Sequence, residues 1–564
     1  MKIVIVGGVA GGATAAARLR RLDENAEIIV FERSGFVSYA NCGLPYYIGG
    51  VIEKKEELTL QTPESFRRRF NVDMRVRHEV TKINPERKTV YVTNLVTGES
   101  FEESYDKLIL SPGARPVRPD FPGIESDKIF TLRTVEDTYK IKDYINANKP
   151  SSAVVVGGGF IGIEAAENLK GLGVDVTLVE AMNQLMAPFD YDIAAFIHAE
   201  VRRKGVNLVL GRKLQGFKPD GESLEVSIED GLGIKADMVI LAMGVSPDTA
   251  IAKDAGLKLG IKGSIVVNEH MQTSDPDIYA VGDAVQIKNF VTGKDALISL
   301  AGPANKQGRV AADNICGLNS SYNGGQGSSV IKIFSLTAAS TGINERTAKS
   351  LGIECDKVIL SPSSHAGYYP GGKVMTLKLV FEKGSYRILG AQIAGYDGVD
   401  KRIDVLATAI RAGMKAYELV ELDLAYAPPY SSAKDPVNMA GFMAENIKNG
   451  IVKQWYYEDV DSLPMDGSVT LLDVRTHSEY ARGHIEGFIN IPVDSLRERI
   501  SELDSSKPVY VICQSGVRSY IATRILMGRG FESYNFAGGF RFYDAVRNDK
   551  ALAERSTLCG MDAN

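Results

Sequence analysis

The stretch "AVVVGGGFIGIEAAENLKGLGVDVTLVE", residues 153–180, decides the fold of this chain. Its apolar run "AVVV" is typical of a buried strand, the following apolar positions recur at helical spacing, and "VDVTLVE" is a second strand. Gly157, Gly159 and Gly162 stand where a tight turn, a close backbone approach to a pyrophosphate and a close helix–strand contact each favour glycine. Glu180 ends the second strand, where a carboxylate can accept hydrogen bonds from a ribose 2′-hydroxyl. The stretch therefore predicts a dinucleotide-binding β-α-β unit.

The same pattern occurs at the start of the chain. "KIVIVGG" and "EIIVFE" flank a helical segment, with Gly7 and Gly12 at the first and third glycine positions and Val9 at the middle one. Glu32 ends the second strand, so the acid is in place although one glycine is not. Two such units on one chain predict two bound nucleotides.

Further strands end in turns that suit the same architecture. "YDKLILSPGARP" (105–116) and "TSDPDIYAVGDA" (273–284) each end in a glycine-containing turn, and Asp283 can accept hydrogen bonds from polyol hydroxyls. A Gly/Ser-rich stretch at 319–329 marks a boundary, and strands and helices alternate again after Trp455. At about 150 residues per domain, the length predicts about four domains, in an α/β fold.

Composition excludes several classes of function. The net charge of −5 provides no overall field that would attract nucleic acid or an anionic membrane. The chain has no apolar run of the ~18–20 residues that span a bilayer, and its start lacks the charged region of a signal peptide. We expect a cytoplasmic protein with no nucleic-acid or membrane partner.

The cysteines and histidines suggest neither a metal site nor a disulfide framework. The chain has five cysteines with no C-x2-C pair, and six histidines with no H-x-H or H-x3-H pair. We therefore expect no metal. In a reducing compartment a lone cysteine is either a core residue or a functional thiol. Cys316 suits a helix in the core, Cys355 and Cys559 lie in no motif, and we assign these three no role.

Cys42 lies in "SYANCGLPYY" (38–47), a small and polar setting that follows a strand and an acid. A dithiol reductase would have a second cysteine five positions away, but Val37 and Tyr47 occupy those positions. A single thiolate can form a mixed disulfide with an external thiol, whereas it cannot close a ring. The residues themselves leave the partner of Cys42 open.

Together these motifs resemble the FAD-dependent pyridine nucleotide–disulfide oxidoreductases over residues 1–445. "SYANCGLPYY", "HAGYYPGG" (365–372) and "AYAPPYSSAKDPVNMAG" (425–441) are most similar to the coenzyme A-disulfide reductases, in particular to the subgroup fused to a rhodanese. The resemblance implies two Rossmann-type domains, an α+β dimerisation domain and a C-terminal α/β rhodanese domain. The implied bounds are 1–115 with 240–325 for FAD, 116–239 for NAD, 326–445 for dimerisation and 446–564 for the rhodanese.

The resemblance also implies the residues that contact each nucleotide. Those for FAD are Gly7, Gly8, Gly12, Glu32, Arg33, Asn41, Val80, Ser111, Gly113, Arg133, Asp283 and Ala301. Those for NAD are Gly157, Gly159, Phe160, Ile161, Gly162, Glu180 and Gly244. Because Ala181 and Met182 follow Glu180, with no arginine to hold a 2′-phosphate, we expect NADH rather than NADPH.

In this family, coenzyme A supplies the second sulfur to the active-site cysteine. Its phosphates need local cations; Arg18 and Arg21 lie three apart on one helix face, and residues 67–69 are three arginines. The resemblance places coenzyme A contacts at Thr14, Arg18, Arg21, Ser38, Asn41, Asn305 and Lys434. Phe70 departs from the family, which has a lysine near this position. Tyr368 and Tyr426 match tyrosines that approach the cysteine across a homodimer interface.

The C-terminal segment resembles a rhodanese domain. "PVYVICQSGVRSYIATRIL" (508–526) predicts a strand, a six-residue loop after Cys513, and a helix. The N–H groups of the loop, the helix N-terminus and Arg518 should stabilise the Cys513 thiolate and hold a persulfide anion. Asp473, Arg475 and His484 complete the resemblance.

These features predict an NADH-dependent flavoprotein that reduces coenzyme A persulfide, polysulfide or coenzyme A disulfide at Cys42. A rival enzyme is an NADH peroxidase or oxidase that cycles a cysteine sulfenate; those relatives carry a histidine where this chain has Ala10. A sulfurtransferase that feeds biosynthesis and a sulfur carrier with little turnover are two more candidate functions. The sequence does not rank the sulfur substrates.

Overall fold

A computed structural model describes the backbone of residues 1–558 and the side chains of residues 1–553. The chain forms two compact units: residues 1–183 with 205–327, and residues 184–204 with the chain from 328 onward. The junction at residue 327 lies within the Gly/Ser-rich stretch. Cys559 lies outside the described residues.

The first unit begins with a five-stranded parallel sheet. Apolar strand residues such as Ile3, Val4 and Ile5 are fully buried because helices and loops cover both faces. In spatial order the strands are Ile278–Ala280, Lys107–Leu110, Lys2–Val6, Glu27–Glu32 and Asp73–Val76. The helices Ala10–Leu22 and Ala301–Ile315 pack closely, and a Cβ at Gly308 would lie 2.4 Å from the Gly11 carbonyl oxygen.

A second parallel sheet in this unit carries the complete glycine motif. Its strands, in spatial order, are Asn207–Leu210, Asp175–Glu180, Ser152–Val156, Met238–Leu241 and Ile129–Thr131. The smaller sheets comprise His78–Asn84, Thr89–Asn94 and Ser100–Ser104; Leu214–Asp220, Ser223–Ile228 and Gly233–Ala236; Ala114–Pro116 and Val245–Pro247; and Ile265–Val266, Val285–Lys288 and Asp295–Ala296. The remaining α-helices are Leu44–Ile48, Pro63–Phe70, Val135–Asn148, Phe160–Gly171 and Ala250–Asp254, and the 3₁₀ turns are Asn41–Gly43, Lys55–Leu58, Glu229–Gly231, Ile261–Gly263 and Gly282–Ala284.

The second unit contains an antiparallel sheet and several helices. The strands, in spatial order, are Ser329–Ile333, Leu336–Gly342, Ile388–Gly395, Thr376–Glu382 and Cys355–Leu360. The helices Tyr191–Arg203, Glu345–Ser350, Val399–Arg411 and Pro436–Lys448 accompany this sheet, with a 3₁₀ turn at Ala416–Glu421.

The same unit ends in a parallel sheet with helices. Its strands, in spatial order, are Lys453–Trp455, Ser533–Phe536, Val509–Ile512, Thr470–Asp473 and Ile489–Asn490. The helices are His477–Arg482, Leu496–Arg499, Val517–Met527 and Gly539–Leu558, with 3₁₀ turns at Tyr457–Ser462, Val493–Ser495 and Ile500–Glu502. None of the helices within the described residues is both long and apolar enough to cross a membrane.

One local prediction was wrong. The predicted six-residue loop after Cys513 is shorter, because the helix already begins at Val517. Gly516 has φ +100°, a conformation that glycine tolerates best, and this residue turns the chain directly into the helix. Arg518 and Ser519 therefore lie in the first helical turn.

Candidate active sites

The glycine loop at the start of the chain borders a cleft of about 510 Å³. Gly7 has φ +96°, and a Cβ there would lie 2.1 Å from the Ser111 carbonyl oxygen. Glu32 accepts hydrogen bonds from the N–H of Gly8 and of Ser34, both at 2.8 Å. The carboxylate therefore ties the loop to the strand end. The predicted FAD contacts that line this cleft are Gly7, Glu32, Arg33, Asn41, Val80, Ser111, Gly113 and Arg133.

The other four predicted FAD contacts do not line the cleft itself. The N–H of Gly8 binds Glu32, and a Cβ at Gly12 would lie 1.9 Å from the Gly7 carbonyl oxygen, so both shape the loop. Asp283 forms an ion pair with Arg133 at 2.7 Å. Ala301 is exposed at the start of its helix.

The second glycine loop repeats this geometry. Glu180 accepts hydrogen bonds from the N–H of Gly158 at 2.7 Å and of Met182 at 2.8 Å. A Cβ at Gly162 would lie 1.8 Å from the Gly157 carbonyl oxygen, whereas a Cβ at Gly159 would meet open space. Close packing therefore requires glycine at position 162. Gly159 instead leaves room above the N-terminus of the helix, where a pyrophosphate would bind.

The other residues predicted to contact NAD lie around this loop. Phe160 and Ile161 form the first turn of the helix Phe160–Gly171. Gly244 has φ +93°, and a Cβ there would also meet open space. The surroundings of Gly159 and Gly244 therefore leave room for a ligand beside the loop.

Cys42 lies in the 3₁₀ turn Asn41–Gly43, and its thiol is free and exposed. The surrounding protein raises the pKa of Cys42 by desolvation, the Glu164 carboxylate adds to this effect, and Arg133 opposes it. Burial also raises the pKa of Glu164, to about 7. The Tyr46 hydroxyl lies 3.5 Å from Glu164 Oε1. Cys42 therefore has a neighbouring carboxyl group that gains or loses a proton near neutral pH.

The predicted coenzyme A residues fall into two sets. In the first unit, Thr14 donates a hydrogen bond to Asn305 at 2.8 Å, Arg18 pairs with Asp313 at 2.7 Å, and Arg21 is exposed. Ser38 has φ +47° and its N–H donates to the Gly8 carbonyl at 2.9 Å. Asn41 Oδ1 is buried without a hydrogen-bond partner. Lys434 is exposed in the second unit.

The basic run at 67–69 is exposed, and Arg67 lies 3.8 Å from Asp73. Phe70 is partly buried against the core of its domain, so it is a packing residue.

Two exposed tyrosines form a pair in the second unit. The hydroxyls of Tyr368 and Tyr426 lie 2.6 Å apart, and the residues are 76 % and 45 % exposed. The hydrogen bond between the two hydroxyls raises the pKa of Tyr426. Exposed aromatic rings held in a fixed pair are suited to contact a partner surface.

Cys513 is fully buried at the end of its strand. The N–H of Gly516 lies 3.1 Å from its Sγ and the Ser519 hydroxyl lies 3.2 Å from it, and both donate to sulfur. Arg518 interacts electrostatically with Cys513, but both of its terminal nitrogens donate to Glu479 at 2.7 Å. Arg518 lowers the pKa of Glu479 to about 2. Donors in the loop and first helical turn therefore surround this thiol.

The remaining predicted rhodanese residues stabilise the loop. Arg475 pairs with the fully buried Asp473 at 2.6 Å and lies 3.4 Å from the side-chain oxygen of Gln514. Behind the loop, the Phe540 N–H donates to the Cys513 carbonyl at 2.7 Å. His484 is exposed and stacks on Tyr480 at 3.9 Å.

Comparison with known proteins agrees with this geometry. Residues 1–308 match the pyridine nucleotide-disulphide oxidoreductase family, residues 328–436 match its dimerisation domain, and residues 456–545 match the rhodanese-like domain. The chain belongs to the pyridine nucleotide-disulphide oxidoreductase family. The predicted fold class and family resemblance are confirmed.

Individual relatives of this oxidoreductase resemble it over most of their length. A coenzyme A disulfide reductase of Staphylococcus epidermidis is 39 % identical over 446 residues, which are 79 % of this chain and all of the relative. The reduced Bacillus anthracis CoADR-RHD structure is 51 % identical, with a TM-score of 0.95 over 97 % of this chain and 98 % of its own. An NAD-dependent persulfide reductase from A. fulgidus is 39 % identical, with a TM-score of 0.90 over 96 % of this chain and all of its own.

The described residues of this oxidoreductase fit the cofactors of its family. The unpartnered Asn41 Oδ1 belongs to a residue that lines the first cleft, and both the glycine loop and Arg133 line the same cleft. These residues would hold FAD, and the open position at Gly159 would admit the pyrophosphate of NAD(H).

Several residues close to the two thiols were not predicted. Glu164 lies 122 positions from Cys42, in the helix Phe160–Gly171 that follows the second glycine loop. No local motif therefore indicates that Glu164 acts on Cys42. Glu479 is similarly remote from Arg518, at 39 positions. Ser519 follows Arg518 directly in the sequence. Its position next to the Cys513 loop was the one feature from which its contact with Cys513 could have been predicted.

Proposed function

We propose that this protein is an NADH-dependent flavoprotein that reduces the sulfur–sulfur bond of coenzyme A persulfide, polysulfide or coenzyme A disulfide. The observation that carries the proposal is the exposed thiol of Cys42, which has no cysteine partner among the described residues, next to the unpartnered Asn41 Oδ1 of the cleft. A thiol without a cysteine partner needs an external sulfur compound to complete its redox cycle. FAD bound in the cleft would relay the two electrons of NADH to that sulfur.

The residues of the chain act on the substrate as nucleophile and proton holder. The Cys42 thiolate attacks the sulfur–sulfur bond: a coenzyme A substrate leaves a Cys42–coenzyme A mixed disulfide and releases sulfide or coenzyme A thiolate, whereas polysulfide leaves a Cys42 persulfide and releases sulfide or a shorter polysulfide. The two electrons of NADH would then cleave the new sulfur–sulfur bond, which releases coenzyme A thiol or sulfide and restores the Cys42 thiolate. The Glu164 carboxylate raises the pKa of Cys42, so a proton held on Glu164, whose pKa is about 7, would favour the Cys42 thiolate.

The Cys513 site is suited to carry sulfane sulfur. The Gly516 N–H and the Ser519 hydroxyl already donate to sulfur, so a persulfide anion on Cys513 would meet oriented donors in a site closed to bulk water. We propose that Cys513 accepts the outer sulfur of a donor and passes it to a small thiol, with Arg518 as a charge beside the loop.

We further propose that the protein works as a homodimer in the cytoplasm. The match to a dimerisation domain and the exposed Tyr368–Tyr426 pair support a dimer. The unpaired state of all four cysteines among the described residues supports a reducing compartment.

A panel of substrates tests the proposed reaction. NADH oxidation is measured with coenzyme A persulfide, coenzyme A disulfide, polysulfide and hydrogen peroxide, using the native chain, Cys42→Ser and the control Cys316→Ser. We expect turnover of the sulfur substrates by the native chain and the control, and none by Cys42→Ser, which should still bind FAD. Preferential turnover of peroxide would favour a peroxidase, and wild-type persulfide reduction by Cys42→Ser would refute the role of this thiol.

A further inference from the structure

A shallow cavity of about 370 Å³ lies on the outer face of the helix Val517–Met527, and its lining includes no residue of the Cys513 loop. It is lined by Arg497, Tyr520, Ile521, Arg524, Ile525, Gly528 and Arg529. Three of these seven residues are arginines and none is acidic. On a chain with a net charge of −5, this cavity is a local cationic surface.

Two of the three guanidinium groups form no ion pair or hydrogen bond with any described residue: those of Arg497 and Arg529, which are exposed. Arg524 donates to the Ile451 carbonyl at 2.6 Å and contacts Met527 sulfur, but it has no carboxylate partner among the described residues either. By contrast, the arginines near the Cys513 loop form ion pairs: Arg475 pairs with Asp473, and Arg518 pairs with Glu479. The cavity is therefore suited to a ligand with several negative charges.

The cavity is connected to Cys513 by the helix itself. Ser519, in the first turn, donates to Cys513 sulfur, and Arg524 follows Val517 by seven residues, which is about 10 Å of helix. Val517 and Ile521 expose 64 % and 41 % of their surfaces, one turn apart on the cavity side of the helix. Ser519 lies on the opposite side, which faces Cys513, so a thiol held at the cavity would have to reach Cys513 around the N-terminal end of the helix.

We propose that this cavity binds the phosphate-rich adenosine end of coenzyme A and thereby presents the coenzyme A thiol to Cys513. The 3′-phosphate and pyrophosphate match the three arginines, and Tyr520 offers a ring on which the adenine can stack. The pantetheine arm is about as long as four extended residues, roughly 14 Å, which exceeds the about 10 Å of helix between Arg524 and Val517. The inference rests on the proposed function, in which coenzyme A is the thiol that carries sulfane sulfur.

The transfer step is balanced without any external oxidant or reductant. A donor such as thiosulfate first gives its outer sulfur to the Cys513 thiolate, and sulfite leaves with the electron pair of the broken bond. The coenzyme A thiolate then attacks the outer sulfur of the Cys513 persulfide. A new sulfur–sulfur bond forms on coenzyme A, the bond to Cys513 Sγ breaks, and its electron pair restores the Cys513 thiolate. The product, coenzyme A persulfide, is a substrate of the proposed reductase reaction.

The test compares thiol acceptors with and without the phosphates. Sulfite release from thiosulfate is measured on the full chain with either coenzyme A or pantetheine as acceptor. We expect KM to be about tenfold lower for coenzyme A, and R497A/R529A to raise the coenzyme A KM about five- to tenfold, with kcat and the pantetheine KM unchanged. The control R499A/R547A removes the same charge from two arginines that pair with Glu502 and Asp461, and it should change neither KM.

A binding measurement provides a readout that needs no turnover. Adenosine 3′,5′-bisphosphate should slow amide hydrogen exchange in the helix Val517–Met527 of the native chain and of the control, but not of R497A/R529A. Equal KM values for coenzyme A and pantetheine in the native chain, or an R497A/R529A variant with native KM and native protection, would overturn the proposal. If thiosulfate does not load Cys513, the exchange experiment alone decides, and absent protection overturns the site.

Failure of the site can be distinguished from failure of the proposed function. NADH oxidation with coenzyme A disulfide is measured on the same proteins and should be native in R497A/R529A. Reductase activity without a phosphate-dependent KM would refute only the site, whereas phosphate-dependent sulfurtransfer without NADH oxidation would refute only the proposed reductase.

Discussion

The buried carboxylate of Asp549 holds the last helix of the chain, and we expect its removal to open that helix locally. Asp549 accepts hydrogen bonds from the Tyr191 hydroxyl at 2.7 Å and from His198 Nδ1 at 2.8 Å, and it pairs with Arg202. The Leu185 N–H donates to His198 Nε2 at 3.0 Å, so Nδ1 carries the proton that Asp549 accepts. The side chains of His198 and Asp549 are 0 % and 2 % exposed, and water does not replace either partner.

The expected magnitude follows from the groups that Asp549→Ala would leave unpaired. An orphaned buried donor costs about 1–3 kcal/mol, and both the imidazole N–H of His198 and the Tyr191 hydroxyl lose their acceptor. Arg202, with a side chain that is 23 % exposed, can turn toward water and adds little. We expect the helix Gly539–Leu558 to lose about 3–5 kcal/mol of local stability, the range found when one partner of a buried pair is removed.

Amide hydrogen exchange on the full chain measures this loss directly. A change of about 3–5 kcal/mol corresponds to exchange that is about 10²–10⁴-fold faster in residues 540–553. Because the Phe540 N–H donates to the Cys513 carbonyl, sulfurtransfer should fall as well. The control is Asp544→Ala, an exposed residue of the same helix that should exchange at the native rate. Native protection in Asp549→Ala would refute the reasoning.

The pH dependence of this contact has a defined sign. The hydrogen bonds from His198 and its neighbours hold the pKa of Asp549 below its usual value. A lowered carboxyl pKa stabilises the fold above the unfolded pKa of about 3.9, and this stabilisation is lost as pH falls through the still lower folded value. We therefore expect no change in helix protection from this group between about pH 6 and 8, and loss of protection only in acid.

Three further predictions concern the chemistry. Glu164→Gln removes a negative charge that raises the pKa of Cys42, so alkylation of Cys42 in a Cys513→Ala background should reach its midpoint at lower pH; an unchanged or higher midpoint would contradict this assignment. The Glu180 carboxylate should repel the 2′-phosphate of NADPH at a cost of several kcal/mol, so kcat/KM should favour NADH by roughly a hundredfold or more, and equal use of the two nucleotides would show that Glu180 does not select. Cys513→Ala should abolish sulfurtransfer from thiosulfate and retain NADH oxidation with coenzyme A disulfide; loss of both activities would make the role of Cys513 structural.

Glycine and strand patterns were sufficient to predict the sheets that carry both nucleotide loops. Gly7 and Gly157 have φ values of +96° and +113°, and neither position could hold a side chain against the neighbouring carbonyl. The two acidic residues were predictable in the same way. Glu32 and Glu180 end equivalent strands and accept hydrogen bonds from equivalent N–H groups. Such features depend on residues close together in the sequence, so sequence patterns can predict them.

Contacts between remote residues were beyond the reach of sequence patterns. Arg18 was expected to bind phosphate, and the structure pairs it with Asp313, 295 positions away, so any phosphate there would share Arg18 with this carboxylate. The Asp549 cluster joins residues that are 347 to 358 positions apart. Nothing in the composition or periodicity of either segment indicates its partner, because tertiary packing alone brings them together.

The anchoring of the rhodanese domain bears on how sulfur leaves Cys513. Besides Asp549, the domain is held by the Tyr456 hydroxyl, which donates to Asp356 at 2.5 Å, and by Glu458, which binds the buried Lys357 at 2.8 Å. Moving the domain away would break both contacts at once, so they oppose a swinging motion of the domain on its short connection within this unit. Sulfur on a Cys513 held in this way would be passed on by a diffusible thiol rather than by motion of the domain. Arg497, Arg524 and Arg529 then have a physical role, because they would raise the local concentration of an anionic thiol next to the helix Val517–Met527.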